Sequence, residues 1–217
     1  MTCKLAIRTG IEPSMDASRS RASLFSCASL IFIFAVIVLS CGGGSGNSET
    51  PCGCTPSEDS SKDYRHEAKH IPLPSTTPQE IDVATILSWA QPSPPPFNAP
   101  RSGRELQLFH IARAYLQSAD RVRADCDLHF EISQTASKTA PRIIVETPID
   151  SEYCPVRENI ESLLTPHGIK FPDGGELNPA VPVSVVGLAF LDFEHNRGST
   201  FVATTWELHP AIVSVIP

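Results

Sequence analysis

Positive charge is in short supply: 17 Lys and Arg face 24 Asp and Glu, a formal net charge of −7. Binding nucleic acid through its phosphates needs a basic footprint, and this balance opposes it. Arginine gathers only locally, at Arg101, Arg104, Arg113, Arg121, Arg123 and Arg142. Aromatic residues make up 7% of the chain. On the alternating segments described below, Tyr115, Phe130, Phe190, Phe193, Phe201 and Trp206 fall mostly at inward positions, so no platform for stacking single-stranded bases is evident. The sequence also lacks a G-x-S-x-G elbow, a P-loop, a dinucleotide fingerprint and an H-E-x-x-H pair, which removes the commonest signatures of hydrolase, nucleotide and zinc-protease chemistry. No internal repeat is visible.

Long apolar runs are missing as well, with one exception. Leu24 to Leu39 (LFSCASLIFIFAVIVL) follows Arg19 and Arg21, the order of charged and apolar regions in an export signal. It is short for a permanent membrane span. The segment closes with VLSC, Val38 to Cys41, before GGGSGNSE. Small residues leading to a cysteine at that point resemble the lipobox of bacterial lipoproteins. That resemblance implies cleavage before Cys41, lipidation of Cys41 and anchoring to a bacterial membrane; a plain signal peptide is the alternative. Gly42, in place of an aspartate, resembles the sorting pattern for the outer membrane. Either Met1 or Met15 can open the signal, since MDASRSR is itself an ordinary charged start.

Setting aside residues 1–40, which carry Lys4, Arg8, Arg19, Arg21, Glu12 and Asp16, leaves 13 basic against 22 acidic residues, a net charge of −9. Four cysteines other than Cys41 remain for an oxidising compartment: Cys52, Cys54, Cys126 and Cys154. Cys126 and Cys154 lie inside the apparent domain, and a disulfide between them is the expected use. An activated thiolate at Cys154, ahead of Pro155 at a helix start, is the competing reading. Cys52 and Cys54 carry no assigned role.

Residues 41–76 are rich in Gly, Ser, Pro, Thr and charge, a composition that reads as a flexible tether. Residues 77–100 hold a short helix and a Pro-rich connector, with Thr77 and Glu80 as a capping box and Pro78 in the first turn. From 101 to 217 the period becomes alternating. Strands are expected over 106–117, 126–135 and 141–148, a helix over 151–164 ending before Gly168, then strands over 181–195 and 204–216. Three strands, a helix and two strands is the order of an OB-like, five-stranded β-barrel, so the fold class is mainly β, small α+β. Another small α+β sandwich is the alternative. Gly187 sits where a barrel strand must bend or bulge.

The chemistry-bearing stretch is ADCDLHFEI, Ala124 to Ile132. Period-two geometry puts Asp127, His129 and Glu131 on one face of the second strand. A metal needs three or four converging donors, and further ones stand on other strands: Glu146, Asp192, His195, Glu207 and His209. The metal candidates are therefore Asp127, His129, Asp192, His195, Glu207 and His209. The catalytic candidates are His129, Glu146 and Arg142. Taken singly, each reads as well as a solvated polar alternate. His66, His70 and His167 carry little signal, two in the tether and one at a helix end.

DCD followed by PRIIVETP resembles the D-G-D and arginine-led strand of thermonuclease-like OB-fold enzymes. The resemblance covers about 25 residues from Asp125 to Ile149. It implies that Asp127 and Glu146 bind calcium and that Arg142 holds a phosphate. Ile149 stands in place of the family's general-base glutamate, and Cys126 in place of its glycine. A longer resemblance, to a loose set of exported bacterial proteins, rests on NAPR (98–101), DLH (127–129), VETP (145–148), FLDFEH (190–195) and ELHP (207–210). Together these readings lead to an exported, lipid-anchored envelope module that binds a protein, glycan or ion without catalysis. The alternative is a divergent metal-dependent nuclease or phosphodiesterase. The cofactor is open, a divalent metal being the one candidate.

Overall fold

The computed structural model describes residues 63–122, 125–193 and 199–217. The apolar run, Met15, Cys41, Cys52, Cys54 and His195 lie outside the described residues. Three helices are present among them: α1 (His66–Lys69), α2 (Val83–Leu87) and α3 (Cys154–Leu164). The strands are β1 (Gln79–Glu80), β2 (Leu108–Arg121), β3 (Leu128–Ser133), β4 (Arg142–Thr147), β5 (Gly175–Leu191) and β6 (Val202–Val215).

Strands β2 to β6 close a five-stranded barrel in the order β2-β3-β4-β6-β5, with β5 returning to β2. Every neighbouring pair is antiparallel except β4 and β6, which run parallel. With α3 between the third and fourth barrel strands, this is the small α+β, OB-like arrangement expected from the sequence.

Alternation builds the interior. Leu128, Phe130 and Ile132 of β3, Ile143 and Val145 of β4, and Val181, Val183 and Val185 of β5 all belong to one buried core, to which α3 adds Ile160 and Leu164. Each such side chain contributes roughly 1.5–3 kcal/mol by leaving water. Helix α3 has Pro155 in its first turn, where the missing N–H costs nothing, and the chain turns away from it at Gly168 with φ +87°. Register shifts between Gly187 and Ala189 where β5 meets β6. A side chain at Gly187 would meet the Ala211 Cβ at 2.7 Å.

Four expectations need correcting. The helix ahead of the Pro-rich connector is capped by Asp82, whose side chain accepts the Thr85 N–H at 2.7 Å, and not by Thr77. Gln79 and Glu80 instead pair alongside Phe109 and His110 of β2, with Glu80 Oε1 2.6 Å from His110 Nδ1. The fourth barrel strand begins at Gly175, six residues earlier than expected, carrying Pro179 and Pro182 past β2 at irregular register. Phe190 does not enter the barrel; it packs outside with Tyr64 and Ala68.

The largest difference is at residues 63–70, assigned by composition to the tether. They fold against the barrel through a buried ion pair that composition cannot register. Arg65 donates to Glu105 at 2.6 and 2.9 Å and to the carbonyls of Ala99 and Pro100, over the Phe190 ring. As for the cysteines, Cys126 and Cys154 are each disulfide-bonded. The expected bond of one to the other is not seen among the described residues.

Candidate metal centre

Because β3, β4 and β6 are neighbours, their outward alternates meet. His129 lies opposite Glu146 in the β3–β4 register, and Glu207 lies opposite Ile144 across the parallel β4–β6 pair. His209, two residues on, falls on the same outer face as Glu207. Asp127 stands just before β3, where its Oδ1 accepts the Ile149 N–H at 2.8 Å, tying the end of β3 to the chain leaving β4. Ile149 itself is buried.

This outer face is not solvated. All of β3 is buried, including His129 at 9% exposure, and so are Asp127 just before it, at 0%, and Glu146, Glu207, Asp192 and His209. Part of the cover is the docked segment. Lys69, itself buried, brings its ammonium to 4.0 Å from Glu146 Oε2 and 3.3 Å from Asp63. His70 approaches Asp127 Oδ2 to 3.9 Å.

At the centre sits the His209 ring. Its Nε2 is 3.3 Å from Asp127 Oδ2, and its Nδ1 is 2.8 Å from Glu146 Oε2 and 3.5 Å from Glu207 Oε1. Neither nitrogen makes an aligned hydrogen bond, and Asp127 Oδ2 has none. Asp127, Glu146 and His209 each offer a ligand atom, all within 4.8 Å of one another. On the other side of Glu146, Oε1 is 2.9 Å from His129 Nδ1.

The electrostatics follow from packing acids together away from water. Burial by itself would push His209 down, but the carboxylates of Asp127, Glu146 and Glu207 outweigh it and hold the imidazole well above its ordinary value. His129 shows the same contest, burial against Glu146, with the same upward outcome. For Glu146, burial pushes upward, while His129, His209 and Lys69 hold the carboxyl well below its usual range. For Asp125 burial dominates and, with Asp127 and Glu146 nearby, pushes it up to about 7.

Of the expected residues, Asp127, His129, Glu146, Glu207 and His209 converge here. Asp192 is buried beyond β5; its backbone N–H bonds Thr205 O, and its charge acts on Lys69. Glu131, on the same strand face as Asp127, belongs to a separate network. Its Oε2 receives Arg142 at 2.9 Å, and its two oxygens accept the Ser199 N–H and hydroxyl, each at 2.6 Å. Arg142 also donates to Glu176 at 2.6 and 3.1 Å and to the Lys138 carbonyl, and lies under Phe201. Arg142 is therefore committed away from the cluster.

Sequence reasoning missed Lys69 and His70. The usable signal was the H-x-x-x-H spacing of His66 and His70, which on one helical turn stacks the two rings, here with centroids 4.0 Å apart. Comparison with models of protein families, with characterised proteins and with solved structures finds no match to this chain.

Proposed function

We propose that this chain is an exported, lipid-anchored envelope protein whose barrel is a non-enzymatic binding module for one divalent metal ion. The observation that carries this reading is the convergence of buried donors from Asp127, Glu146 and His209 within 4.8 Å. Asp127 Oδ2 and both His209 nitrogens lack a hydrogen bond. Without an ion these atoms face one another as charges, Asp127 Oδ2 3.3 Å from His209 Nε2 and Glu146 Oε2 2.8 Å from Nδ1; a cation would take the place of the imidazole's protons between them. One imidazole with two carboxylates suits zinc, manganese or ferrous iron better than calcium or magnesium, which take oxygen donors. Support for export and anchoring is the apolar run ending at Cys41.

A hydrolase using the same cluster is the second reading. Metal and carboxylates would suit it, but Arg142, the residue that the thermonuclease-like resemblance puts on the phosphate, is engaged by Glu131 and Glu176. Transition-state charge on a phosphate would then lack its expected partner.

Equilibrium dialysis against zinc, with metal content read by mass spectrometry, tests the proposal. One ion per chain is expected, lost in Asp127→Asn and His209→Ala, with no metal-stimulated cleavage of a phosphodiester chromogen. A protein that takes up no ion overturns the proposal. One that takes up the ion and cleaves the chromogen replaces the binding reading with the hydrolase.

A further inference from the structure

Two buried histidines face Asp127 from opposite directions. His209 reaches it from β6, and His70 reaches it from the segment docked outside the barrel. The His70 side chain is 5% exposed, and its Nδ1 lies 2.8 Å from Asp150 Oδ2. Its Nε2, 3.9 Å from Asp127 Oδ2, has no hydrogen bond. His209 repeats the pattern, with Glu146 at Nδ1 and Nε2 turned toward the same Asp127 oxygen. A histidine that binds a metal characteristically gives its other ring nitrogen to a carboxylate, which fixes the tautomer and aims the ligand nitrogen. His70 is arranged that way, and His209 faces the same oxygen with Glu146 Oε2 at 2.8 Å from its Nδ1, without an aligned hydrogen bond. Zinc bonds of about 2.0–2.1 Å put neighbouring ligand atoms roughly 3.3 Å apart. The two separations here, 3.3 and 3.9 Å, lie at that value and slightly beyond it. The stacked His66 ring packs against His70.

Resting on the metal-binding reading above, we propose that His70 is a ligand of the same ion as Asp127 and His209, so that the ion clasps the segment 63–70 onto the barrel. A plain His70–Asp150 ion pair would account for Nδ1, with Nε2 left 3.9 Å from Asp127 Oδ2, in reach of its charge and beyond hydrogen-bond distance. The clasp accounts for both nitrogens. It also makes the ion a further hold on the segment leading into the barrel, beside the His70–Asp150 pair. Arg65 secures the same segment independently through Glu105.

The test uses the purified full-length protein with zinc and with cobalt(II) as a spectroscopic probe. His70→Ala and His70→Gln are compared with Asp150→Asn, and folding is checked by circular dichroism. Asp150→Asn is expected to weaken zinc about 10- to 100-fold, the usual cost of losing a carboxylate behind a ligating histidine. Both His70 variants should weaken it further and change the cobalt absorption. Zinc should also slow tryptic cleavage after Lys69 in the parent protein and not in the His70 variants. If the parent binds zinc and the folded His70 variants match its affinity, cobalt spectrum and zinc protection, the clasp is refuted while the metal site stands. If the parent binds no zinc or cobalt, the metal-binding reading falls and the clasp falls with it.

Discussion

Replacing Glu105 by Gln should unlatch residues 63–70 at a cost that can be worked from its surroundings. Arg65 and Glu105 have side-chain exposures of 0% and 3%, so water can rescue neither partner. The two make a paired contact at 2.6 and 2.9 Å, and Glu105 also accepts the N–H groups of Ser102 and Leu191 at 3.1 Å each. Breaking a buried pair from one side typically costs about 3–5 kcal/mol, because the surviving charge stays buried. Domains of this kind have roughly 5–15 kcal/mol in total. With a urea slope of about 2 kcal/mol per molar, the unfolding midpoint should fall by roughly 1.5–2.5 M. Trypsin should then reach Arg65 faster. A matched apolar pair, Arg65→Met with Glu105→Leu, should recover much of the loss, since well-packed hydrophobic replacements of buried ion pairs are often neutral. The pH profile gives a second check. Burial raises the Glu105 carboxyl, but hydrogen bonds from Arg65 and the Leu191 N–H outweigh it and hold it below its ordinary value. Its contribution is therefore full above the unfolded pKa of about 4.3 and is lost as pH falls through the lower folded value. A midpoint shift under about 0.3 M in Glu105→Gln, with no gain in cleavage at Arg65, would show that the latch does not exist in solution.

Four further outcomes are expected. Arg142→Ala should cost about 3–5 kcal/mol in urea unfolding by stranding buried Glu131, yet leave zinc uptake unchanged; lost uptake would place Arg142 in the metal site after all. Lys69→Met should tighten zinc binding, because an ammonium 4.0 Å from Glu146 repels an incoming cation, and weaker binding by dialysis would contradict that reading. Gly174→Ala should destabilise by more than about 2 kcal/mol, since its φ is +60° and a Cβ would stand 2.1 Å from the Ala119 carbonyl oxygen; an unchanged thermal midpoint would be inconsistent with this turn. Non-reducing peptide mapping should find Cys126 and Cys154 without free thiols, and a free thiol at either would overturn their disulfide bonding.

The barrel was legible because apolar residues recur at alternate positions along its strands. Leu128, Phe130 and Ile132 announce one buried face whatever lies on the other, and the order of strands around α3 then restricts the topology. The start of β5 was hidden by Pro179 and Pro182, which ordinarily argue against a strand; here the β2–β5 register is irregular between Val181 and Glu176. Residues 63–70 were illegible for a different reason. Their docking rests on charge: Arg65 meets an acid 40 residues away, and Lys69 meets one on β4. Hydrophobic periodicity carries no record of such partners.

The same limit divides the D-x-H-x-E stretch that first drew attention. Alternation correctly gives Asp127, His129 and Glu131 one strand face, but a face is not a site. Along β3 they lie beside different residues of β4, Glu146 next to His129 and Ile144 next to Glu131. Arg142 then draws Glu131 away into its own network, two residues beyond Ile144. What gathers Asp127 to Glu146 is His209, from a strand 80 residues later, running parallel to β4 and brought there only by barrel closure. A constellation of this kind is a property of register between strands far apart in sequence. It explains why an alternating polar strand signals chemistry only after its neighbours are known.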